Sequence, residues 1–546
     1  MKGTIRTIRP NTNTIQSIVI VQTISMLFAI LLVAFFIYLF QKWTYTHWKR
    51  RGIPQLCPRF PLGEVADTIR QRTSYSNRVA ELHHQAVRDG HRFVGIYTLC
   101  QPVLLVTDVN LVRRILTVDF EYFADRGAHI NETRNPLSGH LIYLTGDKWR
   151  QMRQKLSPAF STAKLNELFP TMMTCGRTLT AVIDKIRGRS VPLHDLMARF
   201  TVDVLASIGF GVECNSMWNP DEPFRQMGAR SFLKSWKTSL RMLLAFVAPR
   251  FLQLKLIDGD VEEYMRCLVR DAIARREAGE VRRDFMQMLV QLRNQVQLED
   301  GGSWEMSNVD QNKAFTVEEM AAQSFVFLNG GYDTISSTLT FCMFELCRNE
   351  SLLRRIHEEI VGVLADDRAL CYEALEEMTF LESCIDETLR KYPISPVLFR
   401  VCTKAYQIPD SDVVVEKGTL VQISLVGLQR DPRYYEDPLK FDPERYGERR
   451  AETMPHFSFG DGPRVCPGQQ MSKAMIKMAL VQMLADHDCR LEAPATMIGE
   501  LELDPSLLTL QPKKDVLVVP FRRVVINIPV LEDIIEQQQN QQNQNN

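Results

Sequence analysis

Residues Phe459–Gly468 read FGDGPRVCPG, with Cys466 two residues after Arg464 in a turn rich in glycine and proline. Such a thiol could serve as nucleophile, metal ligand, redox sensor or plain filler. Just downstream, apolar residues recur at Met471, Ala474, Met475, Met478 and Ala479, the spacing of one helical face. Cys466 is therefore expected at or just before a helix N-terminus, where the dipole and free N–H groups favour a thiolate and lower its pKa. A nucleophilic cysteine needs a base, and His456 is the only histidine in the neighbourhood. The loop alone leaves that role open.

Working outward, the chain of 546 residues is long enough to bury a sizeable core. Lys and Arg total 65 against 65 Asp and Glu, so no overall field favours nucleic acid. The 12 cysteines are scattered without C-x-x-C or Cys/His spacing, which speaks against a zinc site or a secreted disulfide framework. A reducing environment around the main domain is the simpler reading.

Residues 17–40, SIVIVQTISMLFAILLVAFFIYLF, carry no charge and are long enough to cross a bilayer as one helix. The bulky, basic QKWTYTHWKRR that follows is unlike a signal-peptide cleavage site, and so long an apolar run is unlike an amphipathic transit sequence. Lys42, Lys49, Arg50 and Arg51 on one flank against Lys2, Arg6 and Arg9 on the other lean towards a cytosolic main domain. Pro54, Pro58 and Pro61 make residues 41–62 a stiff, non-helical hinge, after a short segment 1–16 and the anchor.

Beyond the hinge, HRFVGIYTLCQPVLLVTD has two β-type runs around Gln101 and Pro102, expected as a hairpin, and Val109–Leu116 turns helical. Thr316 and Glu319 have capping-box spacing at the start of a long, largely apolar helix that reaches Arg348. The Gln/Asn-rich end, 529–546, cannot bury a core and is expected to be disordered. No internal repeat is visible.

Phe459, Gly462, Arg464, Cys466 and Gly468 match F-x-x-G-x-R-x-C-x-G, so the loop resembles the haem-thiolate loop of the cytochrome P-450 superfamily. Glu387 and Arg390 supply that family's E-x-x-R, FDPERY at Phe441–Tyr446 resembles its meander around Arg445, and Gly330–Thr334 resemble A/G-G-x-D/E-T of its central helix. Trp149 and Arg153 fit W-x-x-x-R. The resemblance runs from residue 17 to about 525. Within the superfamily, FADRGAHINETRNPLSGHL, GDKWRQMRQKLSPAFS and GFGVECNS look like insect microsomal members of the family 6 type that handle xenobiotics.

The resemblance implies a mainly α fold with a small β-rich part near the N-terminal third, over residues 63–528, preceded by one transmembrane helix. It implies haem b with Cys466 as axial thiolate. A thiolate pushes electron density onto iron and favours O–O cleavage. Phe459 would shield the sulfur, and Gly462 and Gly468 would let backbone approach the porphyrin. Trp149, Arg153, Arg400, Arg464 and Arg126 are the candidates for the haem propionates, because arginine suits paired carboxylate contacts. Glu387, Arg390 and Arg445 are expected to lock structure rather than to catalyse. Thr334 and Asp333 form the candidate distal pair for proton delivery during oxygen activation; the plainer role of Thr334 is a bond to the carbonyl of Gly330.

The function implied is a monooxygenase on the endoplasmic reticulum membrane, catalytic domain in the cytosol. It would insert one oxygen atom into lipophilic substrates with electrons from NADPH-cytochrome P-450 reductase and cytochrome b5 as a second donor. A haem-thiolate isomerase or dehydratase working without O2, and a non-enzymatic haem sensor, are the alternatives. Lys148, Lys155, Lys473 and Lys477 are considered as a basic docking face. Phe120–His140, Phe325–Asp333, Ser395–Leu398 and Pro505–Leu508 are expected to line an apolar pocket whose substrate could be an insecticide, plant toxin, hormone or fatty acid. Cys342, Cys347 and Cys384 read as core, and His83 and His84 as a solvated helix face.

Overall fold

The computed structural model describes residues 12–128, 131–231, 240–241, 243–244, 257–295, 298, 302–304, 314–365, 368–446, 454–493 and 499–523. The expected disordered tail 529–546 and most of the segment 1–16 lie outside the described residues.

Helix dominates because apolar residues recur at helical spacing through most of the chain. Labelled in chain order, the helices that position the site are α1 (Thr12–Thr44), α2 (Tyr75–Arg88), α3 (Gly146–Leu156), α4 (Thr162–Ile186), α5 (Leu193–Leu205), α6 (Val317–Cys347), α7 (Thr379–Lys391) and α8 (Gln469–Leu484). α6 starts at Thr316, where the capping box is complete: Thr316 Oγ1 accepts from Glu319 N at 3.1 Å and Glu319 Oε2 from Thr316 N at 2.9 Å. Its side chains are buried nearly all round, and it packs along α5 in the middle of the largest core. The contact is close at Gly331, where a Cβ would come within 2.9 Å of Leu205.

The hairpin forms as β1 (Phe93–Thr98) and β2 (Gln101–Val106), turning at Leu99 and Cys100 with Leu99 at φ 55°. The β-part is more dispersed than expected. β2 pairs in parallel with β5 (Leu420–Ser424), which pairs antiparallel with β4 (Val397–Val401), giving the order β1-β2-β5-β4. A second sheet, β3-β7-β6, joins Val191–Pro192, Leu517–Arg522 and His487–Leu491. Half of the first sheet thus comes from the C-terminal half of the chain.

α1 leaves the apolar side chains of residues 20–40 exposed on every side, which suits a helix that crosses a bilayer. Its C-terminal end is fastened to the domain. Gln41 Nε2 donates to Pro61 O at 3.2 Å, Tyr45 Oη to Pro61 O at 2.9 Å, and Trp48 Nε1 to Ile96 O at 3.2 Å. The Trp48 indole lies where a side chain on Gly95 would stand, since a Cβ there would be 2.2 Å away.

Candidate active site

The cysteine loop is folded by its own main chain. Cys466 N donates to Phe459 O at 2.9 Å, Val465 N to Gly462 O at 2.9 Å, and Gly462 N to Asp461 Oδ1 at 2.7 Å. Gly460 and Gly462 take φ values of 79° and 66°, in the left-handed region. The expected role of Gly462 changes: its bare face meets the carbonyl of Leu116, 2.0 Å from where a Cβ would be. Gly468 is uncrowded, with only the Phe160 ring at 3.9 Å.

Cys466 stands just ahead of α8, as its sequence context predicts, and is half-buried. The expected lowering of its pKa is not what the surroundings produce. Burial raises it and outweighs the Gly468 N–H and the charges of Arg126 and Arg153, which pull it down. A thiolate here needs a further cation, and a coordinated metal ion supplies one. His456 is not among the groups that act on this sulfur; its ring lies tilted against Tyr446 with centroids 5.6 Å apart, and burial holds its pKa down.

Four guanidiniums converge beside the loop. Arg464 is buried against the Trp149 indole, its Cζ 3.9 Å from a ring centroid, and donates to the carbonyls of Ala124, Leu141 and Leu144 at 2.9, 3.3 and 2.9 Å. Arg126 Nη2 donates to Arg464 O at 3.1 Å and Arg153 Nη1 to Val465 O at 3.0 Å. Arg400, on β4, is 2% exposed and its Nε has no hydrogen-bond partner. Burial and then Arg126 push both Arg400 and Arg464 down to about 9; burial also lowers Arg126 and Arg153. Asp125, 3.5 Å from Arg464, is the one carboxylate acting on this cluster among the described residues.

A thiol paired with surplus buried positive charge fits a group that carries both a metal ion and two carboxylates, as haem does.

The loop is backed by a polar lock. Glu387 and Arg390, on α7, form a two-point ion pair, and Arg390 Nη1 also donates to Gln429 O and Pro438 O, both at 2.9 Å. Arg445 Nε lies 3.5 Å from Glu387 Oε1, and Asp442 N donates to it at 2.9 Å. All three charged side chains are buried, which is the structural arrangement expected of them.

On α6, Thr334 Oγ1 donates to Gly330 O at 2.5 Å, the plain helical bond. Gly330 is exposed, with nothing within 4 Å of a Cβ built there, so this face of the helix is open. Asp333 points elsewhere. Gln511 Nε2 donates to its two oxygens at 2.5 and 2.6 Å, Thr509 Oγ1 at 3.3 Å, and His194 Nε2 lies 4.0 Å away. Gln511, Thr509 and His194 carry no motif, and sequence reading misses them.

Two expectations are corrected. Lys473 Nζ pairs with Glu382 at 2.8 Å and Asp386 at 2.9 Å, and Lys477 Nζ, 1% exposed, pairs with Glu382 at 2.8 Å, so neither contributes a free charge to a docking face. Lys148 and Lys155 remain exposed. His83 is not solvated: it is fully buried, with Nε2 3.3 Å from Asp431 Oδ2. Cys342 and Cys384 are buried as expected, and Cys347 is half-buried. From the expected pocket wall, Ser506, Leu507 and Leu508 line a small groove with Val65, Thr68 and Ile69.

A haem-thiolate oxygenase site is what this arrangement describes, and comparison with known proteins bears on it directly. The family model "Cytochrome P450" matches residues 62–519, so the chain belongs to the cytochrome P-450 family and is a P-450 monooxygenase. It is 34% identical over 455 residues to a probable cytochrome P-450 6a14 of Drosophila melanogaster, covering 81% of this chain and 88% of that one. It is 34% identical over 496 residues to a probable cytochrome P-450 6d4 of the same organism, covering 88% and 95%. A cytochrome P-450 6A1 of Musca domestica is 32% identical over 490 residues, covering 87% and 94%. The family brings haem with a cysteine thiolate, a redox partner and small-molecule substrates.

Proposed function

We propose that the protein oxygenates lipophilic compounds at the endoplasmic reticulum membrane, with Cys466 as haem ligand and electrons from NADPH through a membrane-bound reductase, cytochrome b5 being a second donor. The observation that carries this reading is the half-buried Cys466 thiol acted on by Arg126 and Arg153, within a cluster of four guanidiniums that has one carboxylate. When bound, thiolate-ligated haem supplies the oxygen-activating electronics.

The chain's residues do the rest. Arg126, Arg153, Arg400 and Arg464 hold the propionates, with the Trp149 indole bracing Arg464. Phe459 keeps water from the sulfur. Thr334 holds a proton at Oγ1, which it donates to Gly330 O on the open face of α6, and Asp333, which Gln511 holds turned away in this structure, would have to swing towards Thr334 to replenish it. The exposed apolar residues of α1 keep the domain at a membrane, where lipophilic substrates concentrate. Xenobiotics are the favoured class, supported by the likeness to insect family 6 members.

The test is reconstitution with NADPH reductase in vesicles and a panel of insecticides, plant toxins, steroids and fatty acids. Thr334→Ala should keep consuming NADPH while product falls about tenfold and hydrogen peroxide rises. A wild type that shows the thiolate-type reduced-CO band but consumes no NADPH with any substrate, and rearranges peroxides instead, would show the isomerase alternative to be right.

A further inference from the structure

Asp333 is tied to groups that the oxygenase reading leaves idle. It is buried, and its carboxylate is clamped by Gln511 Nε2 on both oxygens, with Thr509 Oγ1 alongside. On its far side stands His194, in the first turn of α5, with Nε2 4.0 Å from Asp333 Oδ1 and 3.4 Å from Ser337 Oγ. Ser337 lies four residues beyond Asp333, so it holds the imidazole against the same face of α6. The His194 side chain is 15% exposed and Asp333 5%, so His194 is the member of the pair nearer to solvent.

We propose that His194 is the outer proton station for Asp333, loading the carboxylate from solvent across a gap closed by one bridging water or a small ring rotation. The inference rests on the oxygenase reading of Thr334 and Asp333. In the step, the Nε2–H bond of imidazolium breaks and its electron pair stays on nitrogen. An O–H bond forms on Asp333, and solvent returns a proton to the ring. No electron changes hands. Asp333 and Thr334 are consecutive on α6, about 100° apart around its axis. Once neutral, the Asp333 carboxyl loses its charge-assisted hold on Gln511, and one rotamer step turns it towards Thr334.

The charged groups around this pair belong to three elements. Asp195 and Arg199 lie on α5, Arg225 of the Pro223–Ser231 helix pairs with Asp195 at 2.5 Å, and Tyr332 on α6 is affected by Arg225, Asp333 and Asp195. The substitutions below leave all of them in place.

The decisive measurement is a titration of the carbon-13-labelled histidines in the full-length haem enzyme, ferrous and CO-bound, with the 10 histidines sorted by His194→Phe. Asp333→Asn should lower the His194 pKa by about half a unit or more, because a carboxylate near 4 Å favours the charged ring. An unchanged value overturns the proposal. In turnover, His194→Phe and the milder His194→Gln should each raise the share of electrons lost to hydrogen peroxide about threefold or more, with the thiolate band intact. In wild type the hydrogen peroxide share should rise as pH climbs through the His194 pKa, whereas in His194→Phe it should be high and flat with pH, and a pH dependence that survives in His194→Phe also overturns the proposal. A coupled pair in a protein with no oxygenase turnover would sink the oxygenase reading instead, so the two failures are distinguishable.

Discussion

Arg390 grips Glu387 at two points, Nε to Oε2 at 2.6 Å and Nη2 to Oε1 at 2.8 Å, with neither side chain exposed. The rest of the guanidinium holds the carbonyls of Gln429, Pro438 and Lys440, and lies over the Tyr435 ring with Cζ 4.9 Å from its centroid. One arginine thereby fastens α7 to two separate stretches of the chain ahead of the cysteine loop.

Removing one partner strands the other in an apolar interior. Glu387→Ala should cost about 3–5 kcal/mol, read as a lower urea midpoint with loss of bound haem. A variant with wild-type stability and haem content would show that the pair does not hold the loop.

Two glycines of the cysteine loop should respond in opposite ways. Gly462→Ala drives a methyl to 2.0 Å from the Leu116 carbonyl at a φ of 66°, so the loop must refold and haem content should collapse. Gly468→Ala meets only the Phe160 ring at 3.9 Å and should stay within about 1 kcal/mol of wild type. Thermal midpoints and haem-to-protein ratios of the two variants check this contrast.

Burial first, and then repulsion from Arg126, lower the pKa of Arg400 and Arg464, so the cluster is under strain until a dianion joins it. Arg126→Leu should therefore stabilise the apoprotein and at the same time speed haem transfer to apomyoglobin about tenfold, or about 1.4 kcal/mol of lost holding. If both quantities fall together, Arg126 acts only through the fold.

Glu382 provides the pH test. Although burial raises its pKa, Lys473 and Lys477 bring it from 4.5 down to about 2. A carboxylate depressed in the folded state stabilises above its unfolded pKa, and that contribution is lost as pH falls through the folded value. The stability gap between wild type and Glu382→Gln should be full at pH 6 and shrink steadily from about pH 4.5 towards pH 2. Urea midpoints at several pH values read it directly, and a gap that stays constant counts against the ion pairs.

What the sequence discloses and what it hides follow from how local each signal is. The place of Cys466 just ahead of a helix and the capping box at Thr316 and Glu319 are set by near neighbours in sequence, and both form as read, whereas the expected lowering of the Cys466 pKa depended on burial that no local pattern shows. Pairing of β2 with β5 joins residues some three hundred positions apart, and nothing in LVQIS names its partner. Asp333 and Gln511 are separated by 178 positions, so their contact leaves no local trace.

His83 was legible after all: Val79, Leu82, His83 and Ala86 fall at the spacing of a buried stripe on α2, and all four are buried. Lys473 and Lys477 pair with Glu382 and Asp386 as facing four-residue ladders on α8 and α7, and either ladder alone looks like a solvated face.

The fastening at Gln41 in the last turn of α1, and at Tyr45 and Trp48 just beyond it, makes the N-terminal helix a mast rather than a leash. A leash would let the domain tumble above the lipid and present any side to its neighbours. At a bilayer, a mast would fix height and heading, so that encounters along the lipid would reach the same band of surface each time, and lengthening the stem by one turn would miss that band.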